Sequence, residues 1–375
     1  MAILTDGQIA RLKGYLESVK RRVVAYVDRP RYRRRFGPPE TLDHHYLYLR
    51  AKSKALRPAL LLTACEAVAQ TRGAKEPSLA PAALPAACAV EVFHTWSLVH
   101  DDVFDRDELR RGQPTVHAFA RRRFHDLLPM KPAEREHLAN SVAIMVGDNL
   151  LAFSLALMNE LHGRKGVRHE VAVRLVGELA TAAANGLIEG EMQDCLFEKR
   201  PLDSLSVGQA LEMLAKKTGR LLEFCMAAGV MLGLNRDDPR AREATAARAY
   251  ARHCGLAFQL QDDLLALTGD EKQLSKPVSA DIRAGKRTPI VLFAYEAANR
   301  RQRQRLRALL GDPRLGARGV AEFMDLVDSL GALRRARRLA EKEIAAALRR
   351  LAVFPPSPAR DRLAAIARFM IQREN

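Results

Sequence analysis

Apolar residues recur at intervals of three and four along nearly the whole chain, which is the pattern of amphipathic helices. Clusters of glycine, proline and aspartate interrupt this pattern and indicate the helix ends. The charged stretch 123–137 is expected to be a connection. No run alternates apolar and polar residues for long enough to require a strand. The predicted helices are 7–28, one that begins near Pro58, 86–105, 138–162, 168–197, 206–233, 241–268, 289–309, 318–352 and 358–373.

The composition favours the same fold class. Of the 375 residues, 48% are hydrophobic and only 6% are aromatic, and alanine and leucine outnumber the β-branched residues. Such a composition favours helices over strands. We therefore predict an all-α protein with a single domain over residues 1–375, in which residues 1–40 form a basic N-terminal helix and loop.

The formal net charge is +17, from 61 lysine and arginine residues against 44 aspartate and glutamate residues. Nucleic-acid binding is nevertheless not predicted, because the basic residues are spread along the chain and the densest cluster, 29–35, is one short stretch. The charge suits anionic substrates and, at most, peripheral contact with anionic lipid headgroups.

A soluble, cytoplasmic protein is expected. The N-terminus lacks the basic-then-apolar order of a signal peptide. The most apolar stretch, 141–158, is interrupted by Gly147, Asp148 and Asn149, so we interpret it as a buried core helix. No cysteine spacing is typical of a zinc site, and buried free thiols are expected. The five cysteines are Cys65, Cys88, Cys195, Cys225 and Cys254.

The first candidate for chemistry is an aspartate pair near the end of the helix 86–105. Asp101 and Asp105 are four residues apart, so their carboxylates lie on one helix face, one turn apart. Two like charges in this position repel unless a cation lies between them, and magnesium prefers such oxygen ligands. By itself, however, this pattern is usually an acidic, solvated helix end.

A second acidic pair makes the chemical interpretation stronger. Asp262 and Asp263 lie at the polar end of another apolar helix, and Asp281 and Lys286 follow downstream. An antiparallel bundle could bring the two acidic patches together as a cage for a metal-bound diphosphate. A departing diphosphate needs such a cage, because cations must neutralise the negative charge that builds up.

With both patches in place, the chain resembles the trans-isoprenyl diphosphate synthase (polyprenyl synthetase) family over about residues 42–373, and in particular its short-chain geranylgeranyl and farnesyl diphosphate synthases. Each short motif is weak, but the ordered set is specific. The resemblance rests on Lys54, Arg57 and Pro58, His94, Asp101, Asp102 and Asp105, Arg110 and Arg111, Lys217 and Thr218, Phe258 and Gln259, Asp262 and Asp263, Lys276, Asp281 and Lys286.

The resemblance implies an all-α antiparallel bundle around a central cavity. It also implies a magnesium-dependent enzyme, with three ions expected, that joins isopentenyl diphosphate to an allylic diphosphate, and a homodimer. The implied catalytic residues are Asp101, Asp102, Asp105, Asp262, Lys217 and Lys286. The implied metal ligands are Asp101, Asp105, Asp262, Asp263 and Asp281. The implied substrate contacts are Lys54, Arg57, His94, Arg110, Arg111, Lys217, Thr218, Phe258, Gln259, Lys276 and Lys286.

The chain departs from the family at Ala266, which stands where the second motif usually has its last aspartate. We expect activity to survive, with Asp281 covering part of the missing role. Two other readings stay open, namely a class I terpene synthase on the same fold and a non-catalytic partner subunit of a prenyl synthase. Ala266 supports the second, while the retained basic residues speak against the first.

Trp96 and Ser97 are the candidates for setting product length. Trp96 lies five residues before Asp101, about 7.5 Å along the helix, where a growing prenyl chain would meet its indole. In the family, an aromatic residue at this position commonly forms the floor of the product tunnel. The small neighbour Ser97 argues against a double aromatic barrier, so we predict a product of fifteen to twenty carbons, with geranylgeranyl diphosphate favoured.

Overall fold

The computed structural model describes residues 3–69, 78–268 and 279–372. The first half of the chain forms α1 Asp6–Val27, α2 Pro30–Arg33, α3 Leu42–Arg50, α4 Leu56–Ala69, α5 Leu84–Phe104, α6 Val116–Leu127, α7 Pro132–Asn159 and α8 His169–Glu178. The second half forms α9 Ala184–Lys199, α10 Val207–Leu214, α11 Arg220–Leu234, α12 Arg242–Thr268, α13 Ser279–Ala284, α14 Pro289–Ala297, α15 Arg300–Leu309, α16 Ala317–Ser329, α17 Ala332–Arg350 and α18 Pro358–Gln372.

The all-α prediction is confirmed, with one small addition. After α5 the chain forms a two-stranded antiparallel hairpin, in which β1 (Leu109–Arg110) pairs with β2 (Gln113–Pro114). The turn places Arg111 at φ 54° and Gly112 at φ 75°, the left-handed region that glycine adopts at little cost. Two-residue strands are too short for an alternating pattern to reveal them.

Several predicted helices are divided in the structure. The predicted helix 289–309 ends at Ala297 and restarts at Arg300, because Asn299 and Gln302 form a reciprocal capping box. The predicted helix 318–352 breaks at Gly331, which has a φ of 72° and is the N-cap residue of α17. The helices predicted at 168–197 and 206–233 each contain a five-residue π-helical turn, Leu179–Ala183 and Ala215–Gly219.

The predicted connection 123–137 is wrong, because most of it is helical. The helix α6 continues to Leu127, and α7 already begins at Pro132. Proline suits the first helical position, where its missing N–H is not needed. The Glu134 carboxylate also accepts a hydrogen bond from the Lys131 backbone N–H at 3.1 Å. A charged helix start therefore resembled a loop in the sequence.

The chain forms two compact units. In the unit made of residues 10–179 and 227–239, α5 packs against α7 around Phe93, Leu150 and Leu157, which are fully buried. Helix α11 approaches α4 so closely that a Cβ on Gly229 would lie 2.2 Å from the Leu61 carbonyl oxygen. Glycine is therefore required at this crossing.

The other unit contains residues 1–9, 180–226 and 240–375. Here α12 packs along α17, and the Tyr250 hydroxyl donates a hydrogen bond to the Leu363 carbonyl oxygen at 2.7 Å. A second cluster of buried apolar side chains joins α14 to α16 around Phe293 and Phe323. The prediction of a single domain stays a prediction.

Two stretches, Pro132–Gly163 and His169–Lys199, are long and apolar enough to cross a membrane by length and composition. Core helices of soluble proteins share this property. In α7 the side chains of Val146, Leu150 and Phe153 are buried, whereas Ile144 and Met145 are exposed. The interpretation of 141–158 as a core helix therefore holds for one face.

The cysteine prediction needs one correction. Cys65, Cys88, Cys225 and Cys254 are buried free thiols, but Cys195 is exposed. Cys195 lies on α9, whose Met192 and Leu196 are also exposed. Apolar character alone did not indicate which face of this helix is covered.

Candidate active site

The first aspartate motif lies at the C-terminal end of α5. Asp101 is in the last turn, and Asp105 is the C-cap, whose backbone N–H donates to the Asp101 carbonyl oxygen at 2.8 Å. The C-terminal end of a helix carries the negative end of its dipole, which disfavours carboxylates. A cation bound there would relieve both the dipole and the repulsion between the carboxylates.

Asp102 faces inward and has different partners. Its side chain is fully buried, accepts a hydrogen bond from Arg110 Nε at 2.8 Å, and accepts another from the Tyr48 hydroxyl. That hydroxyl also accepts from the Val116 backbone N–H at 3.1 Å. Burial raises the pKa of Asp102, while Arg110 opposes the shift. Asp102 and Arg110 therefore tie the end of α5 to α3 and to the hairpin.

Basic side chains gather around His94 on α5. Burial lowers the pKa of His94 well below its usual value, and the positive charges of Arg57, Arg111 and Arg110 lower it further. The imidazole is therefore neutral at physiological pH and can donate only one N–H. Arg57 lies in the first turn of α4, and Lys54 is exposed just before it.

Lys20 on α1 belongs to the same cluster, and the sequence analysis missed it. Its ammonium donates to the Leu49 carbonyl oxygen at 2.7 Å and lies 3.7 Å from the carboxylate of Glu91, one turn before His94. Its charge also lowers the pKa of His94. A signal did exist, because Lys20 follows the buried Leu16 by one helical turn on the face that α1 buries.

Trp96 and Ser97 lie beside this cluster on α5. The indole of Trp96 is 4% exposed and meets the ring of Phe93 edge-on, with centroids 4.8 Å apart. The Ser97 hydroxyl donates to the His94 carbonyl oxygen at 2.9 Å. His100, also on α5, lies with Nε2 3.1 Å from the Ile144 carbonyl oxygen on α7.

The second aspartate motif lies on α12 in the other unit. The Thr218 hydroxyl donates to Gln259 Oε1 at 3.0 Å, and Gln259 Nε2 donates to Asp263 Oδ1 at 3.2 Å. Burial raises the pKa of Asp263 to about 7. Repulsion from Asp281 also raises this pKa, whereas the hydrogen bond from Gln259 lowers it. Thr218 and Gln259 thus orient Asp263, while Asp262 and Phe258 are half-buried on the same helix.

Ala266 lines a cavity of about 20 Å³ next to this motif, which is room for about one water molecule. The polar groups around it include Asp263, Asp281 and Lys286. Asp281 therefore stands beside the position where the family usually has its last aspartate. Lys276, the remaining predicted contact, lies outside the described residues.

Lys217 lies in the π-helical turn Ala215–Gly219, a feature frequent at functional sites. Its ammonium lies 2.9 Å from a carboxylate oxygen of Glu191 and 2.8 Å from one of Asp194. A Cβ on Gly190 would lie only 2.3 Å from the Lys217 backbone nitrogen, so α9 and this turn are in very close contact. The sequence analysis missed Glu191 and Asp194.

Carboxylates that suit divalent cations, near lysine and arginine side chains that suit phosphates, are typical of enzymes acting on diphosphates. Comparison with known proteins narrows this class. The chain belongs to the polyprenyl synthetase family, whose model matches residues 39–327. It is a trans-prenyltransferase with the all-α fold of isoprenoid synthases.

Relatives and solved structures agree with this assignment. The short chain isoprenyl diphosphate synthase of Methanothermobacter thermautotrophicus is 34% identical over 90% of this chain and 92% of its own length. The geranylgeranyl pyrophosphate synthetase structure from Pyrococcus horikoshii has 30% identity and a TM-score of 0.77, covering 98% of this chain and 99% of that one. The polyprenyl synthase structure from Caulobacter crescentus, complexed with calcium and isoprenyl diphosphate, has 25% identity and a TM-score of 0.78, covering 100% and 99%.

Proposed function

We propose that this protein joins isopentenyl diphosphate to an allylic diphosphate and releases a short prenyl diphosphate. The observation that carries the proposal is the basic cluster around His94, which includes Lys20, Arg57 and Arg111. Isopentenyl diphosphate is not allylic, so it does not ionise and needs cationic contacts rather than a metal cage. A terpene synthase, which cyclises a single prenyl diphosphate, would have no use for this cluster.

Magnesium is the proposed metal, with Asp101, Asp105 and Asp262 as its main ligands and three ions in all. Among the described residues, no three histidine, cysteine, aspartate or glutamate side chains come together as a metal site. Magnesium needs no such protein cluster, because it usually takes one or two carboxylates and completes its shell with water and phosphate oxygens. When bound, it would neutralise the charge that builds up on the departing diphosphate.

The protein's own residues then have distinct tasks. Lys217 and Lys286 are proposed to contact the allylic diphosphate as mobile point charges, whereas Arg57 and Arg111 provide forked donors to isopentenyl diphosphate. Neutral His94 adds one N–H donor. The alkene attacks the allylic carbocation, and the released pyrophosphate can take the proton, so no protein base is required.

Asp263 and Asp102 are proposed to support the site through hydrogen bonds rather than to coordinate the metal directly. Asp102 is held by Arg110 and Tyr48, and Asp263 by Gln259. Because Ala266 leaves the second motif one carboxylate short, we expect a weaker magnesium affinity than in an Ala266→Asp variant. Titrating activity against magnesium for both proteins tests this, and equal half-saturation would contradict it.

The proposed product has about fifteen to twenty carbons, with Trp96 as the floor about 7.5 Å from Asp101 along α5. Replacing Trp96 with alanine removes the floor, so longer products are expected. Chromatography of the products would show the shift, with Phe93→Leu as a control for the neighbouring ring. An unchanged product distribution would eliminate Trp96 as the determinant.

One incubation tests the reaction itself. Purified protein, magnesium, labelled isopentenyl diphosphate and each of several allylic starters should yield a longer labelled diphosphate. Release of a cyclised hydrocarbon from a single prenyl diphosphate would instead support a terpene synthase. A protein that is inert alone but alters a second synthase would be a partner subunit. We further propose a soluble, cytoplasmic homodimer, which sedimentation analysis and cell fractionation can test.

A further inference from the structure

Lys217 and its two carboxylate partners form a compact ion cluster on α9 and the adjacent π-helical turn. The ammonium lies 2.9 Å from Glu191 and 2.8 Å from Asp194, and the side chains of both acids are only 13% exposed. Glu191 and Asp194 are three residues apart, so they share one face of α9. Since little water reaches the cluster, salt screens these charges less than it screens surface pairs.

The neighbouring lysine provides an internal comparison. Lys216 is also paired with two carboxylates, Glu189 at 2.8 Å and Glu212 at 3.1 Å. The side chains of these acids are 57% and 62% exposed, so the pairs are ordinary surface ion pairs, which contribute little. Lys216 and Lys217 therefore make the same kind of ion pairs, but those of Lys216 are exposed to water and those of Lys217 are shielded from it.

The backbone fixes the shielded cluster. Because Gly190 has no side chain, α9 lies against the Lys217 backbone, where an added Cβ would lie 2.3 Å from its nitrogen. Glu191 directly follows Gly190, so the acid and the lysine cannot easily separate by moving their helices. The two carboxylates and an incoming anion therefore compete for the Lys217 ammonium.

The charge of this cluster opposes the binding of a diphosphate. One ammonium against two carboxylates leaves one net negative charge at the position where a diphosphate is expected. A diphosphate that recruits Lys217 also leaves Glu191 and Asp194 without part of their compensation, which is unfavourable for acids that are this little exposed.

We propose that Glu191 and Asp194 are positioning residues for Lys217, and that the charge of Glu191 limits the affinity for the allylic diphosphate. This inference rests on the proposed function, specifically on the contact between Lys217 and that diphosphate. Asp194 alone can hold the ammonium, while Glu191 supplies the excess charge. Glutamine at position 191 keeps an oxygen acceptor for Lys217 but removes the charge.

The test measures the binding of inorganic pyrophosphate with magnesium by calorimetry, using the full-length protein. Glu191→Gln is expected to bind about tenfold more tightly, which is the order of magnitude for removing one nearby like charge at intermediate dielectric. Steady-state kinetics should show a lower KM for the allylic substrate and an unchanged KM for isopentenyl diphosphate. Glu189→Gln, the matched surface variant, should change neither quantity.

A double-mutant cycle shows whether Glu191 acts through its lysine. In a Lys217→Met background, the gain from Glu191→Gln should fall well below tenfold, because the competing ion pair is gone. An unchanged or weaker affinity in Glu191→Gln, or an equal gain in both backgrounds, would overturn the inference. If Lys217→Met binds pyrophosphate as tightly as the wild type, the proposed role of Lys217 fails instead. Absence of any condensation product from the wild type would contradict the proposed function itself.

Discussion

The contact between α9 and the Lys217 turn can be tested by adding a single methyl group. A Cβ at Gly190 would lie 2.3 Å from the Lys217 nitrogen, 2.7 Å from its Cα and 2.8 Å from the Lys216 carbonyl carbon. All three atoms belong to the backbone, so no side chain can rotate away. Gly190→Ala must therefore separate α9 from the turn by about 1 Å to reach an ordinary contact distance.

Two opposing effects set the magnitude of the change in stability. Overpacking of this kind costs about 1–3 kcal/mol, whereas replacing glycine by alanine within a helix gains about 1 kcal/mol. The free energy of unfolding should thus fall by up to about 2 kcal/mol. The displacement also moves the Lys217 ammonium, and a misplacement of about 1 Å can lower catalytic efficiency about 100-fold.

Urea unfolding and steady-state kinetics measure the two effects separately. The matched control is Gly14→Ala in α1, where a Cβ would meet nothing within 4 Å. That variant should gain about 0.5–1 kcal/mol and keep its kinetics. For Gly190→Ala, the loss in kcat/KM should appear for the allylic substrate. If this variant is as stable as the wild type and retains its allylic kcat/KM, the close approach described above is incorrect.

Three further changes follow from the buried groups. The pKa of His44 is about 4 in the fold, against 6.5 normally, because burial and then the charge of His45 disfavour its protonation. The unfolded chain therefore binds more protons than the folded protein below pH 6.5, so the free energy of unfolding falls on acidification. In urea unfolding, His44→Phe should avoid about 2 kcal/mol of this loss between pH 7 and 5. Equal losses in the variant and the wild type would contradict this. Gly147→Ala places a Cβ 2.1 Å from His100 Nε2 and should lower the free energy of unfolding by about 1–3 kcal/mol. Because the obstruction is a side chain, adding His100→Ala should restore part of this loss. Additive effects of the two substitutions would contradict this. Asp102→Asn removes the buried anion that holds Arg110 and should cost about 3 kcal/mol in chemical denaturation, whereas a neutral result would show that the pair is dispensable.

Features that depend on neighbours along the chain were readable from the sequence. The spacing of Asp101 and Asp105 placed both on one helix end, because four residues make about one helical turn. Glycine and proline predicted most helix ends, and the capping box of Asn299 and Gln302 was present in the sequence although it went unused. The connection predicted at 123–137 failed because charge was given more weight than the start signal at Pro132.

Features that depend on packing between distant segments became visible only in the structure. Lys20 joins His94 across more than seventy residues, and Lys217 meets Glu191 and Asp194 on another helix. The sequence by itself determined most of the helices, the family and the order of the charged motifs, because these follow from spacing along the chain. Which acid meets which base depends on how helices are rotated and how closely they approach. Packing decides this only once the chain is folded, for example where Gly190, which has no side chain, lets α9 lie against the Lys217 turn.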